Sequence, residues 1–453
     1  MSKALLQDSY LKQVISVVDQ IYPEDIEQQS VYRDTTQFFI NDAKSTREQL
    51  DLKIRIATLQ DELADSSDVV PEKAAKLDTL INNLNALKQA DANSKHARLN
   101  RVRGLCNRVI DLCEGNTAAE SQQKTAKFLA ALWMLAEQNG GGHQQIHQRL
   151  KAPYKLALSL RFADSILANK LADVPNWQAL SNPGKRYTDP EFKNQWLASV
   201  AMPLLMASLF QDSGLQHPLS LKLIYGETGR ANPFRMLDQQ ERQSLLKMNY
   251  RFSVDYVTLG LGVDYATEYA TPEQQILAHA TTLELVKDAY KPETGIGEII
   301  KIPQIYASVV FSTKSDFNRE DVPKGCILVD QLGKKGVLNA KLAQAFTSIT
   351  GLFPQGFGLL DKDQKLMVYG LNPKKQHEPF VKPLLDTNGD SVDQKVFTLL
   401  KADNFYFSET RKQFTELEMA KIEVLVKYKP QENANFWSTV ESFAKWQPIW
   451  KKL

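Results

Sequence analysis

Histidine is scarce in this chain: 453 residues carry six, scattered as His96, His143, His147, His217, His279 and His377. Cysteine is rarer still, with Cys106, Cys113 and Cys326. Three thiols are too few for a disulfide framework, and none has the CxxC spacing of a zinc ribbon. Cys106 and Cys113 stand seven apart and share a helical face, so packed, reduced thiols are expected. Net charge is nearly absent, because 55 Lys and Arg meet 53 Asp and Glu. That balance gives no basis for a nucleic-acid partner or an acidic membrane surface. Long apolar runs are missing as well. The longest, from Leu197 to Phe210, spans about fourteen residues and contains Pro203, short of the roughly twenty that a membrane span needs. The opening Met1-Ser2-Lys3-Ala4-Leu5-Leu6-Gln7-Asp8 turns polar before an apolar leader region can form. The expectation is therefore no signal peptide, no membrane and a cytoplasmic location.

Two further motifs are absent. His143 and His147 have the i, i+4 spacing of a metal-binding pair, but Gln144, Gln145 and Ile146 lie between them, so there is no HExxH. They read as a surface pair. Asn182-Pro183-Gly184-Lys185 lacks the GxxxxGK[ST] pattern and reads as a tight turn rather than a phosphate loop.

What the chain does have is apolar periodicity of three and four. It marks helical segments at Leu50, Ile54, Ile56, Leu59 and Leu63, at Leu77, Leu80, Ile81, Leu84 and Leu87, and at Leu99, Val102, Leu105, Val109 and Leu112. The polar link Ala64-Asp65-Ser66-Ser67-Asp68 joins the first two as a helical hairpin. The segments look too short and interrupted for a coiled coil. The third also carries Lys95, Arg98, Arg101, Arg103 and Arg108. It reads as a solvated face, with Arg98, Arg101 and Arg108 the residues that would meet an anionic ligand.

Thr117 with Glu120, Asp238 with Glu241, and Thr271 followed by Pro272 are helix-start signals. Phe128 to Leu135 reads as a core helix ended by Gly140-Gly141-Gly142, and Leu156 to Leu171 as an amphipathic one. Residues 175 to 191 read as a loop, Ile299 to Val310 as a buried apolar segment, and Leu342 to Ile349 as a short helix. Beyond Gly351 the pattern becomes strand-like at Lys365 to Tyr369, Pro379 to Leu384 and Lys395 to Leu400. Asn388-Gly389 is a hairpin signal between the last two. Phe436, Trp437, Phe443, Trp446 and Trp450 form a helical aromatic stripe, expected to dock on the body. The fold class is mainly α, divided at 1–115 (helical region), 116–358 (helical domain) and 359–453 (small β extension and a final helix).

One stretch draws most of the functional argument. Trp196 to Leu209 is apolar except for Ser199, Pro203 and Ser208, and it runs straight into Asp212 through Leu209-Phe210-Gln211-Asp212-Ser213-Gly214. A carboxylate at the edge of a core is costly unless paired, hydrogen-bonded or metal-bound. Gly214 then reads as the helix stop. The six residues resemble the L-L-H-D-x-G motif of the HD hydrolase superfamily, with Gln211 in place of the histidine.

The resemblance continues toward HD-GYP domains, the cyclic-di-GMP phosphodiesterase type, over roughly residues 120 to 400. Leu237-Asp238-Gln239-Gln240-Glu241-Arg242 is similar to the family's following helix start, and Asn249 falls where a histidine is found. Ile302-Pro303-Gln304-Ile305-Tyr306-Ala307-Ser308-Val309-Val310-Phe311-Ser312 is similar to the I-P-x-x-A-x-I-x-x-V-A-D segment, with Ser312 at the metal-binding aspartate. Phe346-Thr347-Ser348-Ile349-Thr350-Gly351-Leu352-Phe353-Pro354-Gln355-Gly356 resembles F-x-x-x-x-G-x-Y-P-x-G. Pro379-Phe380-Val381 and Asp386-Thr387-Asn388-Gly389 follow in family order. The paired histidines and the G-Y-P signature are replaced by Leu285-Val286-Lys287-Asp288 and Gly295-Ile296-Gly297. His279 stands alone there on an apolar helix, as a structural residue.

The resemblance implies an HD-type helical bundle whose metal ligands are lost, with Gln211, Asp212, Asn249 and Ser312 as vestigial motif positions. Phosphodiester hydrolysis in that superfamily uses metal ions to generate hydroxide, and a neutral amide is a poor substitute for imidazole. The expectation is no catalytic residue, no metal and no cofactor. The chain would act as a binding or scaffolding module in bacterial cyclic-di-GMP signalling, with a protein partner or an uncleaved cyclic dinucleotide. The alternatives are an active phosphohydrolase with a rearranged site and an unrelated helical interaction protein. Without a metal, Asp212 should take an ion pair or a cap, with Arg230, Arg235 or Lys222 as partner.

Overall fold

The computed structural model describes residues 9–25, 27–64, 71–137, 143–263, 271–361, 365–372, 374–383, 396–407 and 409. It is mainly α-helical, with a small antiparallel sheet toward the C-terminal end. The chain begins with α1 (Ser9–Ile21), α2 (Val31–Ala64), α3 (Pro71–Cys113), α4 (Ala118–Glu137) and α5 (His143–Asn169). Then follow α6 (Pro190–Trp196), α7 (Met202–Phe210), α8 (Pro218–Tyr225), α9 (Gln239–Asp255) and α10 (Pro272–Tyr290). The series closes with α11 (Glu298–Val310), α12 (Lys324–Lys334) and α13 (Ala340–Thr350). No helix among the described residues is long and apolar enough to cross a membrane.

α5 is the centre of the body. It packs against α1, α3, α4, α7, α11 and α13, and nearly all of it from Ile146 to Ala163 is buried. The expected amphipathic helix at Leu156 to Leu171 is therefore corrected: the helix starts earlier, and its middle is enclosed by neighbouring helices, charged residues included. Its interior cations are each tied to a different neighbour. Arg149 binds Asp19 (2.6 Å), Glu24 (2.7 Å) and the carbonyl of Tyr22 (3.1 Å), which anchors α1. Arg161 pairs with Glu114 at the end of α3 and with Asp164. Arg186 joins the same carboxylates with its guanidinium between the rings of Tyr187 and Trp196, at 4.4 and 4.3 Å. That arrangement pins the 175–191 connection to the body.

One continuous core runs from Leu11 to Leu399. Trp133, Phe311 and Phe357 cluster at 4.8 and 5.4 Å, and Phe162, Phe346 and Tyr306 at 5.3 and 5.4 Å. α2 and α3 pack together as the expected hairpin. The second and third periodic segments, however, are one unbroken helix, and the long antiparallel pair has its own small core of Leu52, Leu59, Leu80 and Leu84. Leu50 and Ile54, assigned to the apolar stripe, are exposed. The inward stripe runs through Leu52, Ile56 and Leu59 instead, so neither shortness nor interruption excludes coiled-coil-like packing here.

The predicted caps form. Thr117 Oγ1 accepts from the Glu120 amide (3.1 Å), and capping boxes close at Asp238/Glu241 and Thr271/Gln274. α6 and α7 are one rod with a wide π-turn at Leu197–Ala201 between them. Pro203 lacks an amide proton and cannot continue a regular ladder, and a wide turn just ahead of it absorbs the mismatch.

The sheet contains β1 (Gly358–Leu360), β2 (Lys365–Gly370), β3 (Phe380–Pro383) and β4 (Phe397–Thr398) in sequential antiparallel order, with Leu359 opposite Leu366 and Val368 opposite Val381. β1 had no counterpart in the sequence reading. Gly356, with φ +81°, lies where a Cβ would meet Ala130 Cα at 2.6 Å, so the sheet can approach α4 closely. Asn388-Gly389 and the aromatic stripe from Phe436 to Trp450 lie outside the described residues.

Gly214 does not stop α7, which ends at Phe210; it sits in a following 3-10 turn. Its role is close approach, because a Cβ there would stand 2.3 Å from the carbonyl oxygen of Asn249 on α9. Gly214→Ala should therefore push α9 away and cost about 1–3 kcal/mol. A urea midpoint equal to that of the parent would contradict this packing.

A lysine-centred polar site at the end of α7

The turn after α7 enters a half-open polar cluster built from four helices. Gln211 is buried and turns its side chain to Gln304 on α11, donating from Nε2 to Oε1 at 3.0 Å. Its backbone carbonyl accepts from Tyr290 at the end of α10 (2.5 Å) and from Ser253 on α9 (3.0 Å). Tyr290 has a single hydroxyl proton, and the shortest contact takes it. Its oxygen then accepts from Asn249 Nδ2 at 2.6 Å. The second proton of that amide reaches Asp212 Oδ1 at 3.2 Å. Burial first, then the Asp212 charge, pushes the Tyr290 phenol far up, so it stays protonated.

The cation is Lys155, from the middle of α5. Its Nζ lies 3.6 Å from Asp212 Oδ2, with the lysine side chain 4% exposed and the aspartate 25%. Burial lowers the Lys155 pKa, and the Asp212 charge opposes that shift. Asp212 thus has the ion pair expected of it, but from an element that sequence order does not suggest. Of the three partners expected, Arg235 pairs with Glu241, Lys222 pairs with Glu227, and Arg230 is exposed. Lys151 stands one turn before Lys155, half-buried, with Nζ 3.4 Å from Thr313 Oγ1. Burial brings it down to about 8, against the pull of Asp212 and with the repulsion of Lys155.

Three of the four motif positions, Gln211, Asp212 and Asn249, therefore meet. Ser312 stands beside the cluster rather than in it, with its carbonyl accepting from His147 Nδ1 at 2.8 Å. His147 is not the surface residue expected. It is buried between Phe311 and Phe317, with ring centroids at 5.3 and 4.8 Å. A carbonyl can only accept, so the proton of the neutral ring is on Nδ1. His143 and Gln144 hold the carbonyls of Lys314 and Thr313 in the same way, at 2.8 and 3.0 Å. Together they clamp the exit of α11 to the start of α5.

In the stretch that replaces the histidine pair, Asp288 organises the loop into α11. It accepts from the amides of Glu293, Thr294 and Gly297, each at 2.7 Å. Burial opposes its charge, yet those amides outweigh burial and hold its pKa below the usual carboxylate value. The three arginines singled out on α3 lie elsewhere. Arg98 donates to the carbonyl of Gly260 (3.1 and 2.9 Å) and covers Phe38, Arg101 forks onto Asp34, and Arg108 is exposed.

These residues do not fit a divalent metal cluster. A buried ammonium already stands against Asp212, and Gln211 is turned to Gln304. Among the described residues no three His, Cys, Asp or Glu side chains converge as a metal site. Lys151, Lys155, Tyr290 and Gln304 were missed in the sequence. Lys155 had a usable signal, as a lone charge inside the apolar run from Ala152 to Leu158. No protein-family model, no curated protein and no solved structure matches the chain.

The unequal burial of the pair predicts unequal mutants. Asp212→Asn strands the buried Lys155 and should cost about 3–5 kcal/mol in urea unfolding, while Lys155→Met should cost less than about 1 kcal/mol. Equal losses would remove the assigned asymmetry. His147 supplies a pH test. Burial, opposed by the Ser312 carbonyl, lowers its folded pKa from 6.5 to about 4. Between those values the unfolded chain binds a proton that the folded chain refuses, so stability falls as pH drops from 6.5 toward 4, by about 3 kcal/mol in all. His147→Gln should flatten that part of the wild-type pH–stability curve, and an unchanged slope would assign it elsewhere.

Proposed function

We propose that this chain is an HD-GYP-like protein whose phosphodiesterase centre has become a metal-free polar site. It works as a binding or scaffolding module in cyclic-di-GMP signalling, not as a hydrolase. The observation that carries this reading is the meeting of Asp212 and Asn249, 37 residues apart, at a hydrogen bond of 3.2 Å, with Gln211 beside them. The resemblance implies that these positions belong to one site.

The chemistry of the side chains argues for binding over turnover. Hydrolysis of a phosphodiester at neutral pH needs an activated water. Asp212, the carboxylate that could serve as base, is occupied by Lys155 and Asn249. The tyrosine is a protonated donor, and the amides neither donate nor accept protons chemically at neutral pH. What remains is a rigid, satisfied network with the Lys151 ammonium and the Thr313 hydroxyl at its open side.

The test is elemental analysis of the purified full chain for iron and manganese, with a calorimetric titration and a hydrolysis assay on cyclic-di-GMP. The expected outcome is binding heat without turnover and without stoichiometric metal. Two metal ions per chain together with cleavage of the dinucleotide would overturn the reading.

A further inference from the structure

We infer that the open side of this cluster binds a phosphate or phosphodiester group directly, with the ammoniums of Lys151 and Lys155 supplying the positive charge. The inference rests on the reading of the site as a binding site, and names the ligand group that the site takes.

Charge is the first argument. Two lysines are drawn out of water, and Asp212 is the carboxylate that acts on both. The Lys155–Asp212 pair leaves Lys151 as a surplus charge, and its hydrogen bond is a long one to a neutral hydroxyl, 3.4 Å from Thr313 Oγ1. A buried charge without a counter-charge is costly. One bound monoanion balances the site.

Geometry is the second argument. Lys151 and Lys155 are four residues apart on α5, so they share a face at about 5–6 Å between Cβ atoms. That spacing lets two ammoniums flank one tetrahedral anion. A hydroxyl donor borders the same space: Thr313 Oγ1 accepts from Lys151 Nζ at 3.4 Å and keeps its own proton to give. Access is the third. Lys151, Asp212, Tyr290, Tyr32 and Thr313 are all half-buried rather than sealed, while Lys155 forms the floor. Several oxygens on one anion match several separate donors, which a carboxylate with two oxygens does less well.

The experiment uses the full chain at pH 7 and low ionic strength, with inorganic phosphate and cyclic-di-GMP as calorimetric probes and chloride at equal ionic strength as the control. Lys151→Met is the main variant, since removing a surplus charge should not lower the melting temperature, and lost binding is then not lost folding. Lys155→Met is the second, and Lys222→Met, on an exposed pair with Glu227, is the surface control. Phosphate affinity should fall at least tenfold in the first two variants and stay at the wild-type value in the third. Phosphate heat no greater than that of chloride, or equal affinity in wild type and Lys151→Met, would overturn the inference. Lysine-dependent phosphate binding with no response to cyclic-di-GMP keeps the anion site and removes the dinucleotide reading. Cyclic-di-GMP binding unchanged in both site variants does the reverse.

Discussion

Helix α5 is enclosed by six other helices, and it carries cations into that enclosure. Arg149, Lys155 and Arg161 are six residues apart, which turns each about 240° from the last, so they leave the helix in three directions roughly a third of a turn apart. A charge in such a place is tolerable only with a partner. Each direction therefore needs its own carboxylate: Asp19 and Glu24 near α1, Asp212 at the end of α7, and Glu114 with Asp164 where α3 closes. The body is arranged around meeting these three requirements. Pairs of this kind add little net stability over apolar replacements, but taking the carboxylate away and stranding the buried cation is expensive. They act as register marks, setting how far along α5 each neighbour sits.

The polar site is the middle of those three marks. Its members are almost fully assigned to one another: Gln211 with Gln304, Tyr290 with the Gln211 carbonyl, Asn249 with both Tyr290 and Asp212. Networks satisfied to this degree are stiff, because each group fixes the next one's orientation. The exception is the open side, where among the described residues Lys151 has only a weak neutral partner. Gly214 lets the turn after α7 press against α9, and that contact brings Asp212 within reach of Asn249. Packing and site are thus one problem: the same missing side chain that allows the helices to touch also assembles the polar groups.

Much of the fold was legible in local chemistry. Caps at Thr117, Asp238 and Thr271 are set by side chains three residues apart, so they need no tertiary information. The strands at Lys365 and Phe380 show as short apolar runs between turn residues. The hydrogen bond between Asp212 and Asn249 was not legible in their spacing, since 37 residues separate them and only the packing of the turn after α7 on α9 brings them together. The failures share a cause. Leu50 and Leu52 both look apolar, and only the partner helix decides which one faces in. Arg235 and Lys222 were near Asp212 in sequence, but each had a closer carboxylate in Glu241 and Glu227. His147 looked like half of a surface pair because its burial depends on Phe311 and Phe317, more than 160 residues away. β1 is three residues long, too short to announce itself.

The paired long helices α2 and α3 lead to a different kind of conclusion. Near the body their apolar residues, Phe38, Phe39, Leu99 and Val102 among them, belong to the main core; farther out, Leu52, Leu59, Leu80 and Leu84 touch one another and form a separate island. Cooperativity travels through contacts, so the island can open while the body stays closed. Amide exchange would then divide this one pair of rods into a fast outer part and a slow inner part. The outer part is also free to change length in evolution, provided that both strands of the pair gain or lose turns together.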